Sequence, residues 1–331
     1  MPSGLREPSR EEGPPPAHQP RADLAIVGAT ATGKTALALD IACRVSRTEL
    51  VSVDSMAVYR GLDIGTEKPA ERANWHLIDI ADPSEDFSVA AFQAAARKAL
   101  AGIRSRGNTP IFVGGTGLYH RAVLDGLELP GRYPDVAALL EVEAATPEGL
   151  AGLYARLAED DPVAAGRIEP GNRRRIVRAL EVTIGSGRGF STFGPGLESY
   201  AAAGPRLAGL ALDRAELDRR LVQRLDDELA SGWLDEVARL ATRQPALSRT
   251  ARQAIGYSEL LAHVGGELSL EGAKAMIVRR LKSFARRQES WFRRDPRVVW
   301  FDARLGDLAE RVTEWWLGDM ADSPPRRETG R

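Results

Sequence analysis

The sequence lacks several features that would indicate particular classes of protein. Its 331 residues include one cysteine, Cys43, so an internal disulfide is excluded and no Cys/His cluster suggests a zinc site. No apolar run reaches the roughly 18 residues that a membrane-spanning helix needs. The first residues are polar and rich in proline, unlike a signal peptide. These absences predict a protein of the reducing cytoplasm with no membrane segment.

An excess of charge of one sign is also missing. The formal net charge is −1, and the hydrophobic fraction of 43% and charged fraction of 27% are ordinary for a globular protein. Total charge therefore gives no indication of a polyanionic partner. Lysine supplies only five of the 45 basic residues, an imbalance that we attribute to genomic base composition. The local arrangement of charge is more informative than its sum.

Apolar runs that alternate with helical patterns predict an α/β fold, with a P-loop NTPase-like parallel sheet flanked by helices. We expect strands at 24–27, 50–53, 76–80, 111–113, 207–212 and 298–301, and early helices at 34–45 and 88–104. Residues 126–204 break this rhythm and predict a mainly helical insertion. The insertion would divide the core into a first part, 23–125, and a completion, 205–319. The polar segments 1–22 and 320–331 are expected to be disordered tails.

A phosphate-binding motif follows the first predicted strand. Residues 28–35 read GATATGKT and fit the P-loop pattern G-x-x-x-x-G-K-[ST] between a strand and a helix. Gly28 and Gly33 let the backbone wrap a phosphate, Lys34 adds a charge, and the Thr35 hydroxyl can bind Mg²⁺. The motif predicts a bound di- or triphosphate, but it does not establish that ATP is hydrolysed.

The P-loop alone leaves a small-molecule kinase open. A nucleotide-hydrolysing enzyme usually has a second, magnesium-binding aspartate after an apolar strand. Asp54 and Asp79 both occupy such positions. Other motifs must therefore decide between these classes.

Seven further motifs follow the P-loop in order. They are VSVDSMAVY at 51–59, GLDIGTEKP at 61–69, GGTGLY at 114–119, DPVAA at 161–165, RIVRALEV at 175–182, QAIGY at 253–257 and ARRQESWF at 285–292. This ordered set resembles the tRNA dimethylallyltransferase (tRNA isopentenyltransferase) family. The resemblance covers about residues 23–305. It implies transfer of a dimethylallyl group to the exocyclic amine of the adenine 3′-adjacent to the anticodon in tRNA.

In such enzymes the P-loop holds the diphosphate of dimethylallyl diphosphate, with Mg²⁺, rather than ATP. The resemblance places this role on Gly28, Thr30, Ala31, Thr32, Gly33, Lys34, Thr35 and Arg220, with Thr35 as the metal ligand. It makes Asp54 the general base, Thr116 a residue near the adenine, and Arg224 a catalytic cation at the leaving diphosphate. From the residues alone, Asp54 could instead be a magnesium ligand or a cap, and Thr116 an N-cap. Arg220 and Arg224 could be a solvated pair on one face of a helix. Asp213 and Glu216 have capping-box spacing and would begin that helix.

The resemblance also implies contacts with the tRNA anticodon stem-loop. The implied residues are Asp54, Ser55, Met56, Ala57, Thr116, Arg174, Arg175, Arg178, Gln253, Arg279, Arg286 and Arg287. Two positions depart from the family pattern. Ala57 stands where glutamine is common, which removes a base contact, and Phe284 stands where tyrosine is common, which removes a hydroxyl.

A basic segment near the C-terminus favours an RNA partner independently of the family. Between Glu271 and Arg294 there are eight basic residues: Lys274, Arg279, Arg280, Lys282, Arg286, Arg287, Arg293 and Arg294. Only Glu271 and Glu289 oppose them within this segment. At about 100° per residue these side chains cover one side of a helix, with Ile277, Leu281, Phe284 and Trp291 on the other. A cationic face of this kind suits phosphates, although a solvated surface is the competing interpretation.

Three other functions remain possible at this stage. A related enzyme could prenylate free adenine nucleotides, although the basic segment argues against it. A small-molecule kinase would transfer phosphate from ATP. An RNA-binding protein without catalysis would not need Asp54 beside an intact P-loop. The favoured prediction is a monomeric tRNA prenyltransferase.

Overall fold

A computed structural model of the chain describes residues 22–194, 196–197, 199–201 and 204–318. The predicted tails, 1–22 and 320–331, therefore lie outside the described residues except for Ala22. The strands are β1 (Leu24–Gly28), β2 (Thr48–Ser52), β3 (Trp75–His76), β4 (Thr109–Val113), β5 (Arg206–Ala211) and β6 (Val298–Asp302). The helices are α1 (Lys34–Arg44), α2 (Val89–Ser105), α3 (Gly117–Leu124), α4 (Pro134–Glu143), α5 (Pro147–Asp160), α6 (Pro162–Ala165), α7 (Arg173–Ser186), α8 (Arg214–Ala230), α9 (Trp233–Ala241), α10 (Tyr257–Val264), α11 (Leu270–Arg293) and α12 (Leu308–Leu317). Short 3₁₀ helices span Phe190–Thr192 and Ala251–Gln253.

The strands form one parallel sheet in the order β3-β2-β4-β1-β5-β6, which confirms the predicted α/β class. Strand β1 is buried along its whole length. Its alternate side chains enter two different cores: Ala25 and Val27 on one face, Leu24 and Ile26 on the other. A strand covered by helices on both faces needs a continuous apolar run, so the short sequence run was a sufficient signal.

The predicted strand at 76–80 was wrong beyond its first residue. Only Trp75 and His76 pair with β2. Leu77 and Asp79 have φ angles of 67° and 57°, which no strand accommodates. The apolar run at this point therefore leads into a turn.

Residues between α3 and β5 leave the sheet and pack around a separate small core. Helices α4, α5, α6 and α7 contribute its buried side chains, among them Leu140, Leu153, Leu157, Ile176 and Leu180. The chain then returns to the sheet at β5, beside β1.

Helix α11 packs against the main core and reaches the loop that follows β1. Its apolar stripe, which includes Ile277, Leu281, Ala285 and Phe292, is buried against the main core. This packing carries Gln288, on the same buried side, to the loop that follows β1.

Candidate active site

The predicted functional residues converge at one edge of the sheet. The P-loop follows β1, Asp54 follows β2, Thr116 follows β4, and Arg224 lies on α8, which follows β5. Because the strands are parallel, their carboxyl ends share an edge, and loops at that edge form the usual ligand site of such sheets.

The P-loop glycines occupy backbone positions where a side chain would be strained. Gly28 has a φ angle of 139°, and a Cβ added there would lie 2.7 Å from the Leu210 carbonyl oxygen. Gly33 has a φ angle of 89° and precedes α1 directly. Ala31 has a φ angle of 62°. The loop is thus a left-handed turn that opens onto the N-terminus of α1, which suits an anion.

Lys34 lies inside this turn, where its Nζ donates to the Ala29 carbonyl oxygen at 2.5 Å. Loss of hydration lowers the pKa of its ammonium to about 8. The carboxylates of Glu67 and Asp54 oppose this drop, and Arg224 adds to it. Two cations and two carboxylates therefore share a small volume at the P-loop.

Arg224 is the second cation of the site. Its Nη1 donates to Thr30 Oγ1 at 2.5 Å and to Glu67 Oε2 at 2.7 Å, while its Nε donates to Glu228 Oε1 at 2.7 Å. Burial disfavours its charge, but Glu67 and Glu228 outweigh that effect and raise the pKa of Arg224. It is therefore a fixed positive charge against the P-loop.

Arg220 precedes Arg224 by one turn of α8, and its Nε donates to Glu216 at 2.7 Å. The predicted cap of this helix is confirmed, because the Asp213 carboxylate accepts from the Glu216 amide at 2.9 Å. Arg220 and Arg224 line the same cleft of about 270 Å³ as Ala31 and Gly33. The predicted shared face of the two arginines is thus turned toward the P-loop.

Asp54 is half-buried beyond the end of β2. Its Oδ1 accepts from the amides of Met56 at 2.7 Å and Ala57 at 3.1 Å, so one oxygen holds the following turn. Within the described residues, Oδ2 accepts no hydrogen bond. One oxygen of the Asp54 carboxylate, Oδ1, therefore caps the turn, and the other, Oδ2, is available for chemistry. The Ala57 side chain is buried, which leaves it no surface to offer to RNA.

Thr116 occupies the N-cap position of α3, but its side chain does not cap that helix. Its Oγ1 instead accepts from the Ser55 amide at 3.3 Å and so links the loops after β2 and β4. Neighbouring Gly114 allows these loops to approach, since a Cβ there would lie 2.1 Å from the Val53 carbonyl oxygen. The GGTG motif thus places Thr116 against the loop that carries Asp54.

Gln288 is a site residue that sequence reasoning missed. Its buried side chain accepts from the Thr30 amide at 2.8 Å and donates to the Gly115 carbonyl oxygen at 3.0 Å. It therefore braces the P-loop against the loop after β4. The available signal was a single glutamine on the apolar side of α11, within the ARRQESWF motif.

Asp79, the alternative magnesium ligand, is committed elsewhere. Its Oδ1 accepts from Lys68 Nζ at 2.6 Å, and its Oδ2 binds Arg72. Lys68 is a fully buried side chain that also donates to Asp63 and to the Tyr59 carbonyl oxygen. With both oxygens engaged, Asp79 does not resemble the metal-binding aspartate of a nucleotide-hydrolysing enzyme.

The segments 61–69 and 253–257 are held together by Glu236 and Trp233, which contact both of them. Glu236 accepts from the amides of Asp63 and Ile64 at 3.0 and 2.9 Å, and the Tyr257 hydroxyl donates to it at 2.6 Å. Gly65 and Gly256 both lie against the Trp233 ring, where a Cβ would clash. These contacts fix the loop that carries Glu67 to the cleft.

The predicted RNA contacts in the insertion differ in their availability. Arg174 and Arg175 are exposed at the start of α7. Arg178 instead donates to the carbonyl oxygens of Pro130 and Gly131 and pairs with Glu181, so it holds the insertion together. Arg173 pairs with Glu141 on α4. Gln253 is exposed in the 3₁₀ helix before α10.

The outer face of α11 is less positive than its sequence suggests. Lys274 pairs with Asp226, Lys282 with Asp218, Arg280 with Glu259 and Arg293 with Glu289. Three of these four acidic partners belong to other elements, so a count of acids within the segment understates what opposes the basic residues. Arg279, Arg286, Arg287 and Arg294 are exposed and form no ion pair with the described residues.

Two aromatic residues of α11 are half-buried. Trp291 packs against the main core, as predicted, whereas Phe284 is not part of that cluster. Phe284 lies under the Arg287 guanidinium, 5.9 Å from it. Trp291 packs on Gly117, where a Cβ would meet its ring at 2.1 Å. The fully buried ring near this end of the helix is Phe292.

Comparison with known proteins places this geometry in a family. The family model described as IPP transferase matches residues 57–295. The chain belongs to the IPP transferase family. A curated member from Nocardioides sp. (strain ATCC BAA-499 / JS614), a tRNA dimethylallyltransferase, is 47% identical over 87% of this chain and 94% of its own.

Solved structures of the IPP transferase family agree. The full-length tRNA isopentenylpyrophosphate transferase of Bacillus halodurans is 36% identical, with a TM-score of 0.64 over 89% of this chain and 95% of that one. A eukaryotic dimethylallyltransferase acting on tRNA is 25% identical, with a TM-score of 0.69 over 86% of this chain and 74% of that one. In the part of the present chain that the structure describes, no helix is long and apolar enough to cross a membrane.

Proposed function

We propose that the protein transfers a dimethylallyl group from dimethylallyl diphosphate to the exocyclic amine of the adenine 3′-adjacent to the anticodon in tRNA, with release of diphosphate. The observation that carries this proposal is the convergence of a P-loop, Arg224 and a partly free Asp54 carboxylate at one edge of the sheet. Relatives named tRNA dimethylallyltransferase support the choice of reaction.

The cationic half of the site would bind the diphosphate. The P-loop turn presents backbone amides and the N-terminus of α1, and Lys34 and Arg224 supply full charges. As the allylic C–O bond breaks, its electron pair leaves with the diphosphate, and negative charge grows there. Fixed cations stabilise this charge without reorganisation, which is the main way in which such a site lowers a barrier.

The acidic half would handle the amine. The exocyclic nitrogen of adenine is a poor nucleophile because its lone pair is delocalised into the ring. As this nitrogen forms a bond to the allylic carbon, its proton would pass to Asp54 Oδ2, while Oδ1 keeps the Met56 turn in place. Thr116, which links the same two loops, would lie beside the adenine.

Mg²⁺ fits the residues at the P-loop. It is commonly held by few protein oxygens together with substrate phosphates and water. No group of three or more acidic, histidine or cysteine side chains suitable for a metal occurs among the residues that the structure covers. Thr35 would hold the ion at the half-buried first turn of α1. When bound, Mg²⁺ would neutralise charge on the departing diphosphate.

The RNA side of the proposal relies on surface cations. An adenine in a stem-loop must leave its stack to reach Asp54. The exposed arginines of α11 and the start of α7 would hold the tRNA backbone around that site. We infer a monomeric enzyme of the cytoplasm that acts on the anticodon stem-loop.

One assay separates this function from its alternatives. Purified protein is incubated with dimethylallyl diphosphate and tRNA, and the digested nucleosides are analysed by mass. The expected product is a prenylated adenosine in tRNA. Prenylation of AMP but not of tRNA would identify an adenine-nucleotide prenyltransferase. Phosphate transfer from ATP to a small substrate, without alkylation of tRNA, would identify a kinase.

A further inference from the structure

The cleft contains an acidic side chain that the proposed reaction does not use. Glu67 lines the cleft together with Ala31 and Gly33 of the P-loop, and its Oε2 accepts from Arg224 Nη1 at 2.7 Å. An anion-binding cleft has no evident need for a carboxylate, because like charges repel a diphosphate. The position of Glu67 therefore calls for a functional explanation.

The two carboxylates that bind Arg224 differ in character. Glu228 is buried one turn further along α8 and holds Nε, so it is a permanent partner. Glu67 reaches in from another loop, and its side chain is 57% exposed against 14% for Arg224. Among the described residues, Arg224 is its only side-chain partner. Rotation of Glu67 into solvent would thus break no other side-chain hydrogen bond or ion pair with the described residues.

The backbone at Glu67 is fixed, which confines any movement to the side chain. Its amide donates to the Ile64 carbonyl oxygen at 2.9 Å, and its φ angle is 53°. On either side, Thr66 bonds the Leu62 carbonyl oxygen and Lys68 is locked by three acceptors. The loop therefore presents one exposed carboxylate from a backbone that hydrogen bonds hold in place.

We propose that Glu67 is an intramolecular competitor of the diphosphate for Arg224. In the empty site its carboxylate neutralises the Arg224 Nη1 that faces the cleft. A diphosphate that occupies the P-loop and reaches Arg224 displaces it, and Glu67 recaptures Arg224 when diphosphate leaves. Glu67 thereby weakens binding of substrate and product alike and speeds release of the product. This inference rests on the proposed function, since it takes the diphosphate to bind at Lys34 and Arg224.

The test compares wild type with Glu67→Gln, which removes the charge and keeps the shape. Inorganic diphosphate and dimethylallyl diphosphate are titrated into each protein by calorimetry. Because the pair is partly solvated, we expect Glu67→Gln to tighten the Kd of both ligands by about 3- to 10-fold. The KM for dimethylallyl diphosphate should fall similarly, kcat should not rise, and inhibition by diphosphate should strengthen. The affinity for tRNA should stay constant.

Asp227→Asn is the matched control. Asp227 is an exposed carboxylate in the same cleft, but it accepts from Gln223 rather than from Arg224. We expect this variant to change the diphosphate Kd by less than about twofold. Equal tightening in both variants would attribute the effect to the general charge of the cleft and overturn the role of Glu67.

Two further outcomes are decisive. Weaker or unchanged diphosphate binding in Glu67→Gln, with Glu67→Ala in agreement, would mean that Glu67 positions Arg224 in the complex, which contradicts competition. That result would leave the proposed function intact, provided that wild type binds diphosphate. If wild type itself binds no diphosphate, both the competition and the proposed function fail.

Discussion

The P-loop cleft and the outer face of α11 are both rich in basic residues, but they obtain their positive character differently. In the cleft, Ala31, Gly33 and Arg224 line one small volume, and Lys34 follows Gly33 directly at the start of α1. On α11 and its C-cap, the same kind of residue is spread between Lys274 and Arg294, and half of the eight predicted cations are paired with acids.

This difference shows that a count of basic residues in a segment does not give the net charge of the surface that the segment forms. Backbone geometry in the P-loop follows from adjacent residues, so a short motif specifies it. The potential of an exposed helix face depends on whatever other elements bring beside it. Asp218 and Asp226 of α8 neutralise two lysines of α11 from more than 45 residues away in the sequence. A basic segment therefore indicates an upper limit of surface charge.

Removing the base at the same edge of the sheet as the cleft should have the largest effect of the predicted changes. Asp54→Asn keeps the Oδ1 acceptor of the Met56 and Ala57 amides but loses the basic oxygen. We expect turnover to fall by roughly 10²–10⁴, with tRNA affinity within a fewfold. Single-turnover rates with saturating tRNA measure this directly. Equal rates in mutant and wild type would remove Asp54 from the role of base.

Removing a cleft cation should come next in size. Arg224→Ala loses the guanidinium between Thr30 and Glu228, and it should lower kcat/KM for dimethylallyl diphosphate by roughly 10²–10³. Lys34→Ala should act on the same substrate. Arg219→Ala is the control, because that exposed arginine borders the cleft but pairs with Glu216 rather than with the P-loop. A loss of tRNA affinity alone in Arg224→Ala would break the division between the two regions.

The pH dependence of binding sharpens the comparison further. The pKa of Lys34 is lowered to about 8, so its ammonium is charged below that pH and neutral above it. The charged form attracts the diphosphate, and affinity should fall by up to about tenfold per pH unit above 8. Lys34→Arg stays charged throughout and should give a flatter profile. Titration of dimethylallyl diphosphate between pH 7 and 10 tests this, and parallel profiles for the two proteins would contradict it.

The sequence predicted the regions unequally for the same physical reason. The positions of Gly28, Gly33 and Lys34 follow from local spacing, and the parallel order of strands follows from alternation with helices. Gln288 could not be recognised, because its two hydrogen bonds reach residues 258 and 173 positions away. The prediction of a strand at 76–80 was wrong beyond His76 because the chain turns there and Asp79 pairs with Lys68 and Arg72. The residues next to Asp79 in the sequence do not indicate that pairing.

The smallest predicted effect concerns the outer face of α11, where paired and unpaired cations can be compared on one helix. Arg279→Gln with Arg286→Gln removes two exposed charges that form no ion pair with the described residues. Lys274→Gln with Lys282→Gln removes the same formal charge, but from groups bound to Asp226 and Asp218. Each phosphate contact releases counterions, so its loss lowers the slope of log affinity against log salt by about 0.9 or less. We therefore expect the arginine pair to weaken tRNA binding by about 3- to 10-fold and to reduce the slope by up to about 1.8 units.

The lysine pair should change tRNA affinity by less than about twofold, since its charge is already neutralised within the protein. Binding of tRNA across a salt series, for both double variants and wild type, is the measurement. Equal losses would show that formal charge rather than pairing decides the surface, and the distinction between the two regions would then disappear. No loss in the arginine pair would instead move the RNA contact to Arg174 and Arg175, whose exposed guanidinium groups lie on the insertion at the start of α7. The matched design matters because all four residues share one helix, so a general effect on its packing would appear in both variants alike.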